Sequence, residues 1–210
     1  MSHLLHLEVS PGGAHSISRA ISSEFLDAYK ASHAGTAVIT RDLASNPVPH
    51  LDGEAIGAGY TPEESRSESQ KAKHAFRLEL IEEIKNADDI LVSTPMWNWN
   101  VPSVLKAYID QIIIPGVLYG SSADDSLKAK RVTIVVSQGG SYVAGPRQGW
   151  DYETGYLKQV FTALGAKDIE VVLSEFGLAG LVPGMDDFVG AKNDSIAAAK
   201  VAAKARGAQN

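Results

Sequence analysis

The stretch Ile90-Leu91-Val92-Ser93-Thr94-Pro95-Met96-Trp97-Asn98-Trp99-Asn100-Val101-Pro102 opens as an apolar run and closes on a proline that introduces a helical pattern. The run from Asp89 to Thr94 has the length of a strand, and its nearly continuous apolar character is what a strand covered on both faces requires. Beyond it, Val101, Val104, Leu105, Tyr108, Ile109, Ile112 and Ile113 recur at helical spacing, with Pro102 expected in the first turn. Between strand and helix stand two indoles and two carboxamides, bounded by prolines that stiffen the backbone and remove donors. Trp97 and Trp99 offer flat apolar faces, while Asn98 and Asn100 offer donors and acceptors. Such a loop suits a flat heteroaromatic ring hydrogen-bonded along its edge. The same residues also make a proline-bounded turn whose tryptophans pack in a core or an interface.

Outward from this unit, strand and helix patterns alternate along the whole chain. His3 to Val9 reads as a strand, followed by a loop at Ser10 and a helix from about Ser16 to Ser32. Thr36 to Asp42 is the second strand, leading into a long connection through Gly59. Thr61-Pro62-Glu63-Glu64 has the form of a capping box with proline at the first helical position, and the apolar stripe Ala72, Phe76, Leu80, Ile81 and Ile84 follows it. Arg131 to Ser137 is the fourth strand. A helix from about Gly149 stops at Gly165, and Ile169 to Phe176 is the fifth strand. An alanine- and lysine-rich helix spans roughly Asp187 to Arg206. Five strands alternating with helices predict an α/β fold, a parallel sheet covered on both faces. Ligands of such sheets bind beyond the carboxyl ends of the strands, near the switch point.

The chain has 210 residues, 44% apolar and 21% charged, as expected for one soluble globular domain over residues 1–210. A formal charge of −6 without a basic cluster argues against nucleic acid or an anionic membrane as partner. With no cysteine, thiolate catalysis, disulfides and cysteine-ligated iron–sulfur clusters are excluded, so redox chemistry requires a bound cofactor. The first residues lack the basic and apolar regions of a signal peptide, and no stretch has the length of a membrane span, so the expected setting is the cytoplasm.

Three loops at strand ends carry the chemistry. Ser10-Pro11-Gly12-Gly13-Ala14-His15-Ser16-Ile17-Ser18 joins strand to helix, where free N–H groups attract a phosphate and the Ser10, Ser16 and Ser18 hydroxyls add neutral hydrogen bonds. It contains neither the dinucleotide nor the triphosphate fingerprint, and a short hydroxyl-rich loop without lysine fits a single mononucleotide phosphate. A plain glycine turn with Ser16 as N-cap is the other reading. The second loop is the aromatic one. The third, Ser137-Gln138-Gly139-Gly140-Ser141-Tyr142, presents N–H groups suited to a carbonyl or a developing anion, and equally makes a tight turn. Other chemistries find less support. His3 and His6 fall on opposite faces of a strand. The pairs Asp88-Asp89, Asp124-Asp125 and Asp186-Asp187 read as solvated turns or helix starts. No hydrolase elbow or calcium loop occurs. Tyr119, Tyr142, Trp150 and Tyr152 read as loop packing.

Pro95-Met96-Trp97-Asn98-Trp99-Asn100-Val101-Pro102, followed by Leu105-Lys106-Ala107-Tyr108-Ile109-Asp110, resembles the signature P-M-[YW]-N-[FW]-x-[IV]-P…L-K-x-[YW]-[IF]-D of FMN-dependent NADH-azoreductases, also called FMN-dependent NADH:quinone oxidoreductases. The resemblance extends from Ser10 through Leu51-Asp52-Gly53, Ser137-Gln138-Gly139-Gly140 and Tyr156-Leu157 to the final helix. It implies a flavodoxin-like three-layer sandwich and a homodimer with active sites at the interface. It implies one non-covalent FMN per subunit. Ser10, His15, Ser16, Ile17 and Ser18 would contact its phosphate. Pro95, Met96, Trp97, Asn98 and Trp99 would hold the isoalloxazine, with Ser137, Gln138, Gly139 and Gly140 at its pyrimidine side. NADH or NADPH would give hydride to the flavin, and a quinone or an azo compound would then take its place and accept the electrons, a ping-pong sequence in which no side chain acts as catalyst. Arg19, Arg66 and Arg147 are conceivable contacts for a 2′-phosphate, or else surface residues. Two departures touch substrate preference: Gln138 stands where the family often has arginine, and the segment between Gly116 and Lys130, a candidate pocket wall, is shorter than in familiar members. A non-enzymatic flavodoxin-type electron carrier is the alternative, and a nucleotide-binding regulator a third.

Overall fold

The computed structural model describes residues 3–120 and 126–209, so the pair Asp124-Asp125 lies outside the described residues. Five strands, β1 (His3–Glu8), β2 (Ala37–Asp42), β3 (Asp89–Pro95), β4 (Arg131–Ser137) and β5 (Asp168–Ser174), form one parallel sheet in the order β2-β1-β3-β4-β5. The six helices among the described residues are α1 (Ile17–Ser32), α2 (Gly53–Tyr60), α3 (Glu68–Asn86), α4 (Ser103–Ile112), α5 (Glu153–Ala163) and α6 (Val189–Gly207). None of them is long and apolar enough to cross a membrane.

Alternation along the strands assigns side chains to two cores. Leu5, Leu7, Ile90, Val92 and Ile134 pack with α3, α4 and α5 through Leu80, Ile84, Leu105, Ile109 and Phe161. Leu4, Leu91, Val135 and Val172 face the other way, against Phe25 and Tyr29 of α1 and Ala199 and Ala203 of α6. The alanine-rich helix lies very close to α1: a β-carbon on Gly207 would sit 2.4 Å from the Phe25 carbonyl oxygen. Both faces are therefore covered, as the apolar runs require. The chain steps from β1 outward to β2 and then back across to β3, which places the switch point between β1 and β3.

Several expectations are corrected. The connection before Gly59 contains α2, whose start is capped by Asp52 accepting the Ala55 N–H at 2.8 Å; three glycines within the helix conceal it in the sequence. Thr61-Pro62-Glu63-Glu64 does not open a long helix. Thr61 Oγ1 donates back to Gly57 O, and only a single 3₁₀ turn at Glu63–Ser65 follows. Arg66 is extended and donates to the Ala58 and Thr61 carbonyls, so α3 starts later, with Ser67 and Gln70 forming the reciprocal capping box. The fourth-strand helix starts at Glu153, not Gly149, and Pro102 occupies the N-cap position before α4 rather than its first turn. Asp89 is no solvated turn residue: it is buried and accepts from Tyr29 Oη at 2.7 Å and Arg131 Nε at 2.5 Å.

Candidate cofactor site

The loop after β1 is tightly organised. Ser10, Ser16 and Ser18 are buried while Gly12, Gly13 and His15 are exposed. Ser16 caps α1, its Oγ accepting the Arg19 N–H at 3.2 Å and lying 3.2 Å from Ser18 Oγ. Among the described residues the N–H groups of Ile17 and Ser18 have no protein acceptor, so the first turn of α1 offers two free donors beside three serine hydroxyls. Arg19 turns back beneath the loop. Its Nε and NH2 donate to the Ser10 carbonyl at 3.0 and 2.7 Å, and the guanidinium also meets Asp42 at 3.0 Å and Glu8 at 3.2 Å. Burial raises the Glu8 carboxyl above its ordinary value against the opposing pull of Arg19.

In the loop after β3, Met96 is buried and its N–H donates to Ser137 O at 2.8 Å, joining this loop to the one after β4. Trp97 and Asn100 exchange two backbone hydrogen bonds of 3.0 Å, closing a two-residue turn in which Asn98 (φ 49°) and Trp99 (φ 66°) are both left-handed. Asparagine tolerates that region; for tryptophan it costs about 1–2 kcal/mol. Both indoles stay nearly half exposed, at 45% and 43%. Trp150 meets Trp99 edge-on with centroids 5.6 Å apart, and Tyr152 N donates to Trp99 O at 3.0 Å.

The third loop is anchored from behind. Gln138 is 1% exposed; its N–H donates to Ser174 O, its carbonyl accepts from Gly177 N, and its Nε2 donates to Asp151 Oδ2 at 2.7 Å. Asp151 also accepts the Glu153 and Thr154 N–H groups and caps α5. The Gln138 side chain is thus turned into the protein, and the Gly139 and Gly140 N–H groups have no acceptor among the described residues. Gly177 lies between first and third loops: a β-carbon there would come within 3.0 Å of Gln138 O and 3.2 Å of Ile17 Cδ1. Glu153 is buried behind the aromatic loop, accepting from Thr94 Oγ1 at 3.0 Å, and burial with Asp151 nearby pushes its carboxyl up to about 9.

The structure therefore brings all three loops to one rim, across the switch point. Sequence reasoning missed the supporting residues Thr94, Asp151, Glu153 and Gly177. An aspartate two residues before a helix is a recognisable cap, whereas nothing in the sequence distinguishes Glu153 from an ordinary first-turn acid. Of the arginines considered for a 2′-phosphate, Arg19 and Arg66 are engaged by carbonyls, and Arg147 is exposed with no acidic partner among the described residues. His3 and His6 do fall on opposite faces, and no group of three His, Asp or Glu side chains among the described residues is placed to hold a metal.

A model of the flavodoxin-like fold family matches residues 2–206. A protein of Frankia alni named FMN-dependent NADH:quinone oxidoreductase is 40% identical over 210 residues, covering 99% of this chain and all of that one. The protein of that name from Streptomyces coelicolor is 38% identical, over 90% of this chain and 86% of its own. The chain belongs to the FMN-dependent NADH:quinone oxidoreductase family. Among solved structures, an azoreductase from Bacillus anthracis str. Sterne superposes with a TM-score of 0.87 at 20% identity over 99% of each chain. The FMN-dependent NADH-azoreductase of Bacillus anthracis str. Ames Ancestor in complex with FMN superposes at 0.80 with 23% identity over both whole chains. These two establish the flavodoxin-like fold. The resemblance carried by the Pro95–Asp110 motif is thereby borne out at the level of family and fold.

Proposed function

We propose that this chain is an FMN-dependent oxidoreductase. It takes electrons from NADH or NADPH and passes them to quinones, and to aromatic azo compounds that are cleaved to amines. The reading includes a ping-pong order, a cytoplasmic setting and a homodimer with the active site at its interface. It rests above all on the convergence of the three loops: free N–H groups with buried serine hydroxyls on one side of the switch point, exposed indoles in the middle and the Gly139-Gly140 turn beyond. That donor set fits the group. A dianionic phosphate is matched by the Ile17 and Ser18 N–H groups at a helix N-terminus, with the Ser10, Ser16 and Ser18 hydroxyls around it. Met96, Trp97, Asn98 and Trp99, following Pro95, supply apolar surface and amide groups for the ring, and the Gly139 and Gly140 N–H groups donate to its pyrimidine edge.

When bound, FMN supplies the hydride acceptance and electron delivery, so the reaction asks no nucleophile or base of the protein. The protein's task is positional. The Met96–Ser137 bond fixes the spacing of second and third loops, and Gly177 fixes that of first and third. Trp97 and Trp99 reduce water access to the ring, and their exposure is the apolar surface that a second subunit would cover. The test is direct. The purified protein carries about one FMN per chain, is yellow, and loses its absorption near roughly 450 nm when NADH is added without air, recovering it on addition of a quinone. Protein that takes up no FMN, or holds it unresponsive to both nicotinamides, overturns the reading. Sedimentation gives the oligomeric state, expected to be a dimer.

A further inference from the structure

Beyond the third loop, away from the switch point, a cleft of about 440 Å³ opens between the Gly140–Arg147 segment and the stretch that follows β5. Its volume is that of a small-molecule pocket. One wall is a pair of phenylalanines: Phe176 and Phe188 stack with centroids 5.3 Å apart and planes 7° from parallel. Phe176 is held at φ 61°, a conformation phenylalanine rarely takes, while its N–H donates to Gly140 O at 3.2 Å and its carbonyl accepts from Ala179 N. The backbone is thus forced so that this ring meets its partner beside the glycine turn. Phe188 nevertheless remains 44% exposed, so the stacked pair is not sealed into a core. Met185 adds a pliable apolar contact.

Arg147 lines the same cleft, is the only charged side chain in its lining, and has no ion-pair partner among the described residues. In a chain of net charge −6 an unpaired arginine in the same cleft as a stacked phenylalanine pair is a specific arrangement. Asp186 and Asp187 precede Phe188 but do not line the cleft. Aromatic rings stack on aromatic rings, and a guanidinium pairs with oxyanions of phosphate or sulfonate geometry.

We propose that this cleft is a binding subsite for a planar aromatic ring bearing an anionic group, the ring lying on Phe176 and Phe188 and the anion on Arg147. The proposal deepens the oxidoreductase reading, since the cleft shares Gly140 with the turn assigned to the pyrimidine edge. Two sources supply such a group: an acceptor with a sulfonate or carboxylate on its ring system, and the adenosine 2′-phosphate of NADPH.

The experiment is a calorimetric titration of the purified protein, with and without added FMN, using anthraquinone-2-sulfonate and its uncharged 2-hydroxymethyl analogue, and adenosine 2′-phosphate and adenosine. Heat of binding is read without turnover, so failure of the redox reading, seen as absent FMN or absent bleaching by NADH, is separate from failure of this one. At least one anionic probe is expected to bind, and Arg147→Gln to weaken it about five- to tenfold more than its uncharged counterpart. Phe188→Ala, at a half-exposed position where misfolding is not expected, should weaken charged and uncharged members of the binding pair alike. Loss confined to the sulfonate makes the cleft an acceptor subsite; loss confined to the 2′-phosphate makes it a donor subsite. The proposal is overturned if neither anion binds, if Arg147→Gln weakens each pair equally, or if it leaves the anions unaffected.

Discussion

The loop after β1 and the loop after β3 flank the same crevice and are built in opposite ways. The first is polar, buried and braced from below: three inward serines, a capped helix start, and a guanidinium that binds one carbonyl with two nitrogens while resting on two carboxylates. The second is aromatic and half exposed, and closes through a two-residue turn whose tryptophan sits in a conformation it disfavours. A phosphate has one shape and one charge, so a site for it gains from rigidity built before the ligand arrives. On the reading proposed above, the second loop would meet a ring that receives successive partners, and its half-exposed indoles suit that use.

Each region also rests on a buried titratable group kept neutral, and the two fail at opposite ends of the pH scale. Behind the aromatic loop, burial lifts Glu153 from 4.5 to about 9. An acid whose folded value is raised favours folding below its unfolded value, and that contribution disappears as pH rises through the folded one. Between those limits the native state should lose on the order of 5 kcal/mol, the largest effect expected here. Glu153→Gln, which imitates the neutral acid toward Thr94, should flatten this slope and raise the unfolding temperature at pH 8 while changing little at pH 5. Urea unfolding of both proteins across that range checks it; parallel curves would mean that the carboxyl is not held neutral. On β1, which leads into the loop at Ser10–Ser18, His6 is buried with both ring nitrogens unpartnered. Burial first, then the positive charges of Arg19 and Lys30 against the opposing Asp42, lowers it to about 4. A base depressed in this way contributes stability above its ordinary 6.5 that is lost as pH falls through about 4, amounting to roughly 3 kcal/mol. His6→Leu should remove that acid sensitivity, read as a gain in stability over the parent that grows as pH falls from 6.5 to 4, since the opposing Glu153 slope is common to both proteins.

Arg19 gives the next effect. Replacing it with leucine leaves the Ser10 carbonyl without its two donors and Glu8 and Asp42 without their cation. FMN affinity should drop about 100-fold, the size of two charge-assisted hydrogen bonds. Because the proposed role of the loop it braces is to hold the phosphate, riboflavin affinity should change far less. Fluorescence titration of the apoprotein with both ligands gives the ratio. An equal loss for the two would show that Arg19 supports the fold generally rather than the phosphate loop.

How far the two regions could be read from sequence follows from the range over which their signals act. The five strands, the covering of both sheet faces and the aromatic loop were legible because periodicity and the Pro95–Asp110 motif are local. Arg131–Ser137 matches its expected span, and α1 begins where Ser16 caps it. What escaped depends on contacts distant in sequence. Glycine-rich α2 is stabilised by packing against α3, which overrides its poor propensity. Thr61 looked like a cap until Arg66 drew the Ala58 and Thr61 carbonyls together. Arg19 reads as a surface residue because Glu8, Ser10 and Asp42 come to it from two other strands, and Gln138 reads as a ligand contact because Asp151 lies in another loop.

The smallest effect isolates the aromatic loop. Trp99→Asn places in the left-handed position a residue that adopts it readily, relieving about 1 kcal/mol, and removes an edge contact to Trp150 of similar size. The thermal stability of the apoprotein should therefore shift by less than about 1 kcal/mol in either direction. FMN affinity should fall about five- to tenfold, because the lost indole face has no replacement. Both are measured on one preparation, by melting without the cofactor and by titration with it. A clear stabilisation with undiminished affinity would place the reason for the strain elsewhere, in a contact that Trp99 makes with a second subunit. That alternative has its own signature, since the variant's dimer would then dissociate at higher protein concentration than the parent's.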